Sequence, residues 1–308
     1  MFEAMATQLS GDEAMRWTVG VDLLPDSRGA LEFVAWLHAR GAVGANEVGG
    51  LCVLEEGTFF TVRGEARLRV EAGVRETLAG LADASSAAEA LGELDARIAG
   101  PVYAALEEYA REEHAVLVIG RQAQRGETGL VRLGKVARRL LRSLPVPIAV
   151  IPPDLGSEEI ADGPVLVAVD VADESAQALA FARRYAAKVG RPVRLVHVLP
   201  TVSEVGLEYL SPARSAELRH EYAQQARAAF EQFVADNELG DLPVSLLPGP
   251  VIESLLEVAK AEKACTIVCG SRKLGLAGRV LSASIGSELA ATASIPVIVV
   301  PPDWRERI

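Results

Sequence analysis

Two tandem α/β domains, each a doubly wound, five-stranded parallel sheet flanked by helices, are predicted by three features of this 308-residue sequence. One is a long internal repeat: residues 145–154 read PVPIAVIPPD, and residues 294–303 read SIPVIVVPPD, about half a chain length further on. Another is the recurrence of V-x-V-D, ending at Asp22 and at Asp170, and of an apolar run that reaches Gly120 and then Gly270. The third is the alternation of short apolar runs with segments of helical period, which implies parallel pairing and right-handed crossovers. A repeat of this length is a domain and not a solenoid unit, so residues 1–154 and 164–303 are expected to fold alike.

The second copy is the cleaner one. Residues 164–170 (PVLVAVD) form a short apolar run ending in an acid, as a buried parallel strand does. Over 174–189, Ala178, Phe181, Ala182 and Tyr185 recur at helical spacing, and Gly190 is the stop signal. RPVRLVHVL (191–199) alternates like a strand, with His197 read as a packed, hydrogen-bonded strand histidine. A long helix over roughly 214–238 follows, with Leu218, Tyr222, Ala226, Ala229 and Phe233 along one stripe. LPVSLLPG (242–249) returns to strand character, and Pro250 suits the first position of a helix over 250–262. ACTIVCG (264–270) is again a strand; a Gly-rich loop (271–282), a helix over about 283–293 and the strand IPVIVV (295–300) close the copy.

The first copy keeps the order with more noise. TVGVDL (18–23) is its first strand, 27–41 a helix and VGGLCVLEE (48–56) the second strand. Residues 57–100 carry scattered Gly and an Ala-rich patch at 84–90, with no clean period. PVYAALEEYAREE (101–113) is a helix with Val102, Leu106 and Tyr109 on one face. HAVLVIG (114–120), a loop, a basic helix (about 134–143) and VPIAVI (146–151) complete it. Residues 152–163, rich in Pro, Gly and acids, are the expected linker.

Composition narrows the function classes. Half of the residues are hydrophobic and 24% are charged, as in ordinary soluble proteins. The net charge of −11 argues against a general grip on nucleic acid or on an anionic membrane. No stretch approaches the ~18 apolar residues of a membrane span. The segment MFEAMATQLSGDEAM has neither the basic start nor the apolar core of a signal peptide, so a cytoplasmic location is expected. Cys52, Cys265 and Cys269 read as buried free thiols; at ~3.3 Å per residue along a strand the last two are too far apart to bridge. The four histidines, His38, His114, His197 and His220, form no catalytic set, and no metal-ligand spacing stands out.

Ligands of doubly wound sheets sit at the carboxyl ends of the strands, where strand order reverses. Three features converge there in each half: the first-strand Asp (Asp22, Asp170), the fourth-strand Gly (Gly120, Gly270) and a loop entering a helix N-terminus, which attracts anions. Gly129 to Lys135 also fits G-x4-G-K, but Val136 lacks the magnesium-binding hydroxyl of a P-loop and no strand directly precedes the run. The stripe Lys135, Arg138, Arg139 and Arg142 reads first as a solvated helix face.

With VLVAVD at 165–170, LVHVL at 195–199, LLPGPVIESLLEVAKAEKACTIVCGS at 246–271 and SIPVIVV at 294–300, the sequence resembles the universal stress protein family, as a tandem pair of the adenine nucleotide alpha hydrolase-like fold. The resemblance implies a non-catalytic stress-response module, with at most weak ATP hydrolysis. Many members hold ATP through a G-x2-G-x9-G-[S/T] loop, with adenine near the first-strand Asp and the end of the second strand. Carried over, the loop positions are Gly270, Lys273, Ala283 and Ser284, with Asp170 and Val198 on the adenine side. In the first half they are Gly120, Ala123, Gly134 and Lys135, with Asp22 and Val53. Two of the three glycines are replaced in the second half. Either Lys273 or Lys135 supplies a point charge to phosphate in compensation, or the loops are degenerate and the protein is an interaction or small-ligand scaffold without nucleotide. Relatives with a single domain dimerise through their closing strands; here 147–151 and 296–300 are expected to pair internally as a pseudo-dimer, and a homodimer of the whole chain is compatible with that.

Overall fold

Unbroken apolar runs become strands and the amphipathic segments become helices in a computed structural model of the chain. It describes residues 15–23, 28–58, 61–121, 124–125, 131–170, 175–199, 210–271 and 285–304. The first half runs β1 (Trp17–Gly20), α1 (Arg28–Ala39), β2 (Val48–Glu55), α2 (Glu65–Asp83), β3 (Leu91–Ala99), α3 (Val102–Glu112) and β4 (Val116–Gly120). A ribbon of β5 (Gln124–Arg125) and β6 (Val131–Arg132) precedes α4 (Lys135–Ser143) and β7 (Ile148–Ile151). The second half follows as β8 (Val165–Ala168), α5 (Ser175–Val189), β9 (Val193–Leu199), α6 (Pro212–Asp236), β10 (Val244–Pro248), α7 (Val251–Ala261), β11 (Thr266–Gly270), α8 (Ile285–Thr292) and β12 (Val297–Val300).

All strands but β5 and β6 form one ten-stranded sheet, ordered β10-β9-β8-β11-β12-β7-β4-β1-β2-β3. Within each half every neighbouring pair is parallel. At the centre β12 and β7 meet antiparallel, Val297 opposite Val150, Ile298 opposite Ala149 and Val299 opposite Ile148. Every residue of both closing strands is buried, so the pairing removes two apolar edges at once.

The stretch without a clean period at 57–100 holds α2 and the long edge strand β3. The outer edge of β3 is covered by charged side chains. Arg67 donates to the carbonyl of Ile98, Glu71 accepts its N–H at 3.0 Å, and Arg75 donates to the carbonyl of Ala96 at 3.1 Å. Pro250 departs from its expected place: with ψ at 132° it is the N-cap of α7 and Val251 is the first helical residue. The residue before it, Gly249, has φ +130°, a turn that only glycine makes without strain.

The linker is docked, not free. Leu155 and Ile160 are buried, and the N–H of Ser157 donates to Glu32 of α1 at 3.2 Å. Burial alone raises the Glu32 carboxyl, but hydrogen bonds from Ser157 and Ser86 outweigh it and hold the group below its ordinary value. Asp162 pairs with Arg40 at the end of α1 and with Arg191 after α5.

The apolar interior divides by face of the sheet, not by half. One cluster gathers Phe33 of α1, Leu78 of α2, Tyr185 of α5 and Phe230 of α6; the other gathers Leu106 of α3, Leu140 of α4, Leu255 of α7 and Leu289 of α8. In the first cluster an aromatic row, Trp36–Phe33–Trp17–Tyr185–Phe181–Trp304, runs from one half into the other with ring centroids 5.2–6.2 Å apart.

Candidate functional site

At the carboxyl ends of β8, β9 and β11 the strand order reverses, and a cavity of about 550 Å³ opens there. Its floor is Ala168, Val169 and Asp170, then Val196, His197 and Val198, then Cys269, Gly270 and Ser271. Val251 and Leu255 of α7 and Ile285 of α8 close one side, and Tyr222, Gln225, Ala226 and Ala229 of α6 overhang the other. The predicted stripe on the long helix thus splits in role. Phe233 is buried in the core, while Tyr222, 40% exposed, lines the cavity.

Asp170 is held from its own segment. Its N–H donates to Ser175 Oγ at 3.0 Å, and that hydroxyl donates back to Asp170 Oδ1 at 2.8 Å. His197 lies 6% exposed with Nδ1 2.8 Å from the carbonyl of Val169, its ring stacked on Phe230 at 4.8 Å. That bond places the ring proton on Nδ1 and leaves Nε2 as an acceptor in the neutral ring. Burial pushes the Cys269 thiol up to about 12, so while it stays buried it packs as an apolar group. Cations are missing among the described lining residues; the polar groups there are Asp170, Ser175, His197, Tyr222, Gln225 and Ser271.

The strand registers align the two halves residue by residue. Gly20 lies opposite Ile119 and Leu51, as Ala168 lies opposite Cys269 and Val196. Cys52 therefore takes the place of His197, Ile119 that of Cys269, and Arg121 that of Ser271. A Cβ added at Gly20 would meet Leu106 Cδ2 at 3.1 Å and Ile119 Cγ2 at 3.4 Å, so branched side chains occupy the space over the first strand's end. Leu133, at the entry to α4, is buried in the same cluster. Beside Asp22, the Cys52 thiol is raised to about 11, by burial first and then by the carboxylate's charge.

Asp170, Val198 and Gly270 thus border one cavity, while Lys273, Ala283 and Ser284 lie outside the described residues. Asp22, Val53 and Gly120 stand at the ends of β1, β2 and β4. Gly134 is the N-cap of α4 at φ −56°, a value any residue adopts, and Lys135 is the exposed first residue of that helix. Ala123 and the first two residues of the G-x4-G-K run, 129 and 130, lie outside the described residues. Ser175, Tyr222, Gln225 and Cys269 were not singled out from sequence as site residues. Only Ser175, five residues past an Asp at a helix start, carried a capping signal that would have found it.

Comparisons with known proteins agree on one group. The universal stress protein family model matches residues 15–152 and again residues 163–301. A universal stress protein of Mycolicibacterium smegmatis is 34% identical over 145 residues, 45% of this chain and 48% of that protein, so the matched region spans about half of the relative's length. A universal stress protein of Thermus aquaticus is 31% identical over 137 residues, 44% of this chain and 96% of that protein. A solved universal stress protein structure from Archaeoglobus fulgidus superposes with a TM-score of 0.66 at 19% identity, covering 94% of this chain and 99% of that one, a likeness of fold alone.

Proposed function

The chain belongs to the universal stress protein family in both of its halves, and from that premise we propose that it is a cytoplasmic, non-catalytic stress-response module whose second half holds an adenine nucleotide, ATP foremost. The observation that carries this reading is the convergence of Asp170, Val198 and Gly270 around a cavity of about 550 Å³ at the strand-order reversal. The apolar walls suit a purine face, and Asp170 and His197 offer acceptors for its amino edge. Phosphates would then extend toward Gly270 and the start of α8, where Lys273 and Ser284 follow in sequence. The first half, with Leu106 and Ile119 over Gly20, is assigned no nucleotide, so the expected stoichiometry is one per chain.

Calorimetric titration with ATP and magnesium tests the reading. One site per chain is expected, weakened about tenfold, or ~1.4 kcal/mol, by Asp170→Asn. Absence of heat at millimolar nucleotide, or two sites per chain, contradicts it. Steady phosphate release that disappears on replacing Asp170 would contradict the non-catalytic assignment. A second reading is favoured by one observation, the lack of Lys and Arg among the described lining residues. In it the cavity takes a small apolar ligand without phosphate. Displacement of a fluorescent apolar probe by such ligands, with no competition from ATP, would select it.

A further inference from the structure

Arg121 crosses from one half to the other. It follows Gly120 at the end of β4, the position of Ser271 beside the second half's cavity, and its own N–H donates to the carbonyl of Ile151 at 2.7 Å. Its side chain leaves the first half's strand edge altogether. Nη1 donates to the carbonyls of Ala291 at 2.7 Å and Ala293 at 2.8 Å, and more weakly to that of Ala290 at 3.4 Å. These are the carbonyls at the end of α8, which have no partner inside their own helix. A cation there also meets the negative end of the helix dipole.

The guanidinium is half-buried, and burial lowers its pKa while the charge of Asp154 in the linker opposes the shift. Its Nε is buried and has no hydrogen-bond partner among the described residues. A charge this desolvated costs stability unless the contacts it makes are specific, and all of its acceptors belong to one helix end.

The other end of α8 is a wall of the cavity. Ile285 lines it, and Gly286 packs so closely that an added Cβ would lie 3.0 Å from Val299 and 3.3 Å from Cys269 Sγ. Cys269 lines the cavity too. The helix has eight residues, roughly 12 Å at 1.5 Å per residue, too short to bend. What fixes its far end therefore fixes the wall.

Resting on the assignment of the cavity as the ligand site, we infer that Arg121 is a positioning residue through which the first half sets the shape, and so the affinity, of the site in the second. Its place in the first half corresponds to a cavity-lining position that has been given to bracing the neighbour. The coupling is reciprocal: ligand in the cavity must in turn tighten the contact between Arg121 and α8.

Two readouts test this, one without ligand. In the unliganded full chain, Arg121→Ala is expected to speed labelling of Cys269 by a thiol reagent several-fold, read by mass spectrometry of the peptide that contains it. Phe33→Leu, on the opposite face of the sheet, serves as a control that lowers overall stability, and it leaves Cys269 labelling within twofold at a temperature where both variants are folded. Arg121→Lys, which keeps the charge without the fork, lies between. With ATP, Arg121→Ala is expected to weaken binding about tenfold while the control does not. Equal Cys269 labelling in Arg121→Ala and Phe33→Leu overturns the inference whether or not ATP binds. ATP that fails to bind the unaltered chain removes the nucleotide reading and leaves the labelling result to decide this one. Unchanged ATP affinity in Arg121→Ala, with the parent binding, also overturns it.

Discussion

Tyr185 is wholly buried, and its hydroxyl lies 3.0 Å from Thr266 Oγ1, itself inaccessible to water. Burial keeps the phenol protonated far above its ordinary range, so it stabilises the fold below pH ~10 and that contribution is lost as the pH rises further. Tyr185→Phe leaves the Thr266 hydroxyl without this partner and is expected to cost about 1–2 kcal/mol in urea unfolding. Thr266→Val alone costs a similar amount, and the double replacement costs clearly less than the two together. Strict additivity would mean that the hydroxyls do not interact. At this scale the sequence was legible where the backbone pattern itself marks a site. Asp170 and Gly270 end apolar runs, and such ends lie at the sheet edge. Arg121 was not legible, because its acceptors are main-chain carbonyls in the other half and no side-chain code announces them. Nor was the contrast of Cys269 with Ile119, which acquires meaning only when the strand registers set the two side by side.

Elements were readable in proportion to how far an apolar face holds them. Helix α5 buries Ala178, Phe181, Ala182 and Tyr185 at the predicted spacing. Helix α2 buries Leu78 and Ala82 and packs Val74 and Leu81 partly against the same cluster, so its apolar stripe is confined to its second half. Its first half is attached through the charged Arg67, Glu71 and Arg75 along the edge of β3. Asp95 anchors this arrangement, accepting from Arg97 at 2.7 Å, from Arg75 at 3.1 Å and from the N–H of Ala96 at 2.7 Å. Burial by itself raises the Asp95 carboxyl, but those hydrogen bonds outweigh it and hold the group below its ordinary value. A depressed carboxyl stabilises above the unfolded value, about pH 4, and that contribution fades as the pH falls through the folded value. Asp95→Asn is therefore expected to cost about 1 kcal/mol at pH 7, modest because solvent screens part of the site. The gap between variant and parent should narrow at pH 3. A gap of equal size at both pH values in urea unfolding would remove Asp95 from this role.

The whole molecule has two interiors, each continuous across the sequence repeat. Because the clusters divide by face, neither half can open without stripping both, and the antiparallel contact of β7 with β12 joins the halves through buried backbone bonds. The repeat in the sequence announced two like units, and the resemblance to single-domain relatives that pair through their closing strands implied that 147–151 and 296–300 meet. It did not announce that the cores fuse, since an aromatic row through Trp17 and Tyr185 depends on how α1 and α5 lie beside one another over the seam. Two linked domains usually unfold separately, whereas this arrangement predicts one transition. Calorimetric and van't Hoff enthalpies should then agree, and tryptophan fluorescence should follow far-UV circular dichroism in urea; independent halves would give an enthalpy ratio of about two. Ile298→Asp places an unpaired charge at a position with no exposure in the central pair, at a cost of about 3–5 kcal/mol. It should lower both probes' midpoints together. A variant that keeps half of its helical signal through a second, unshifted transition would show that the seam joins two separately stable bodies.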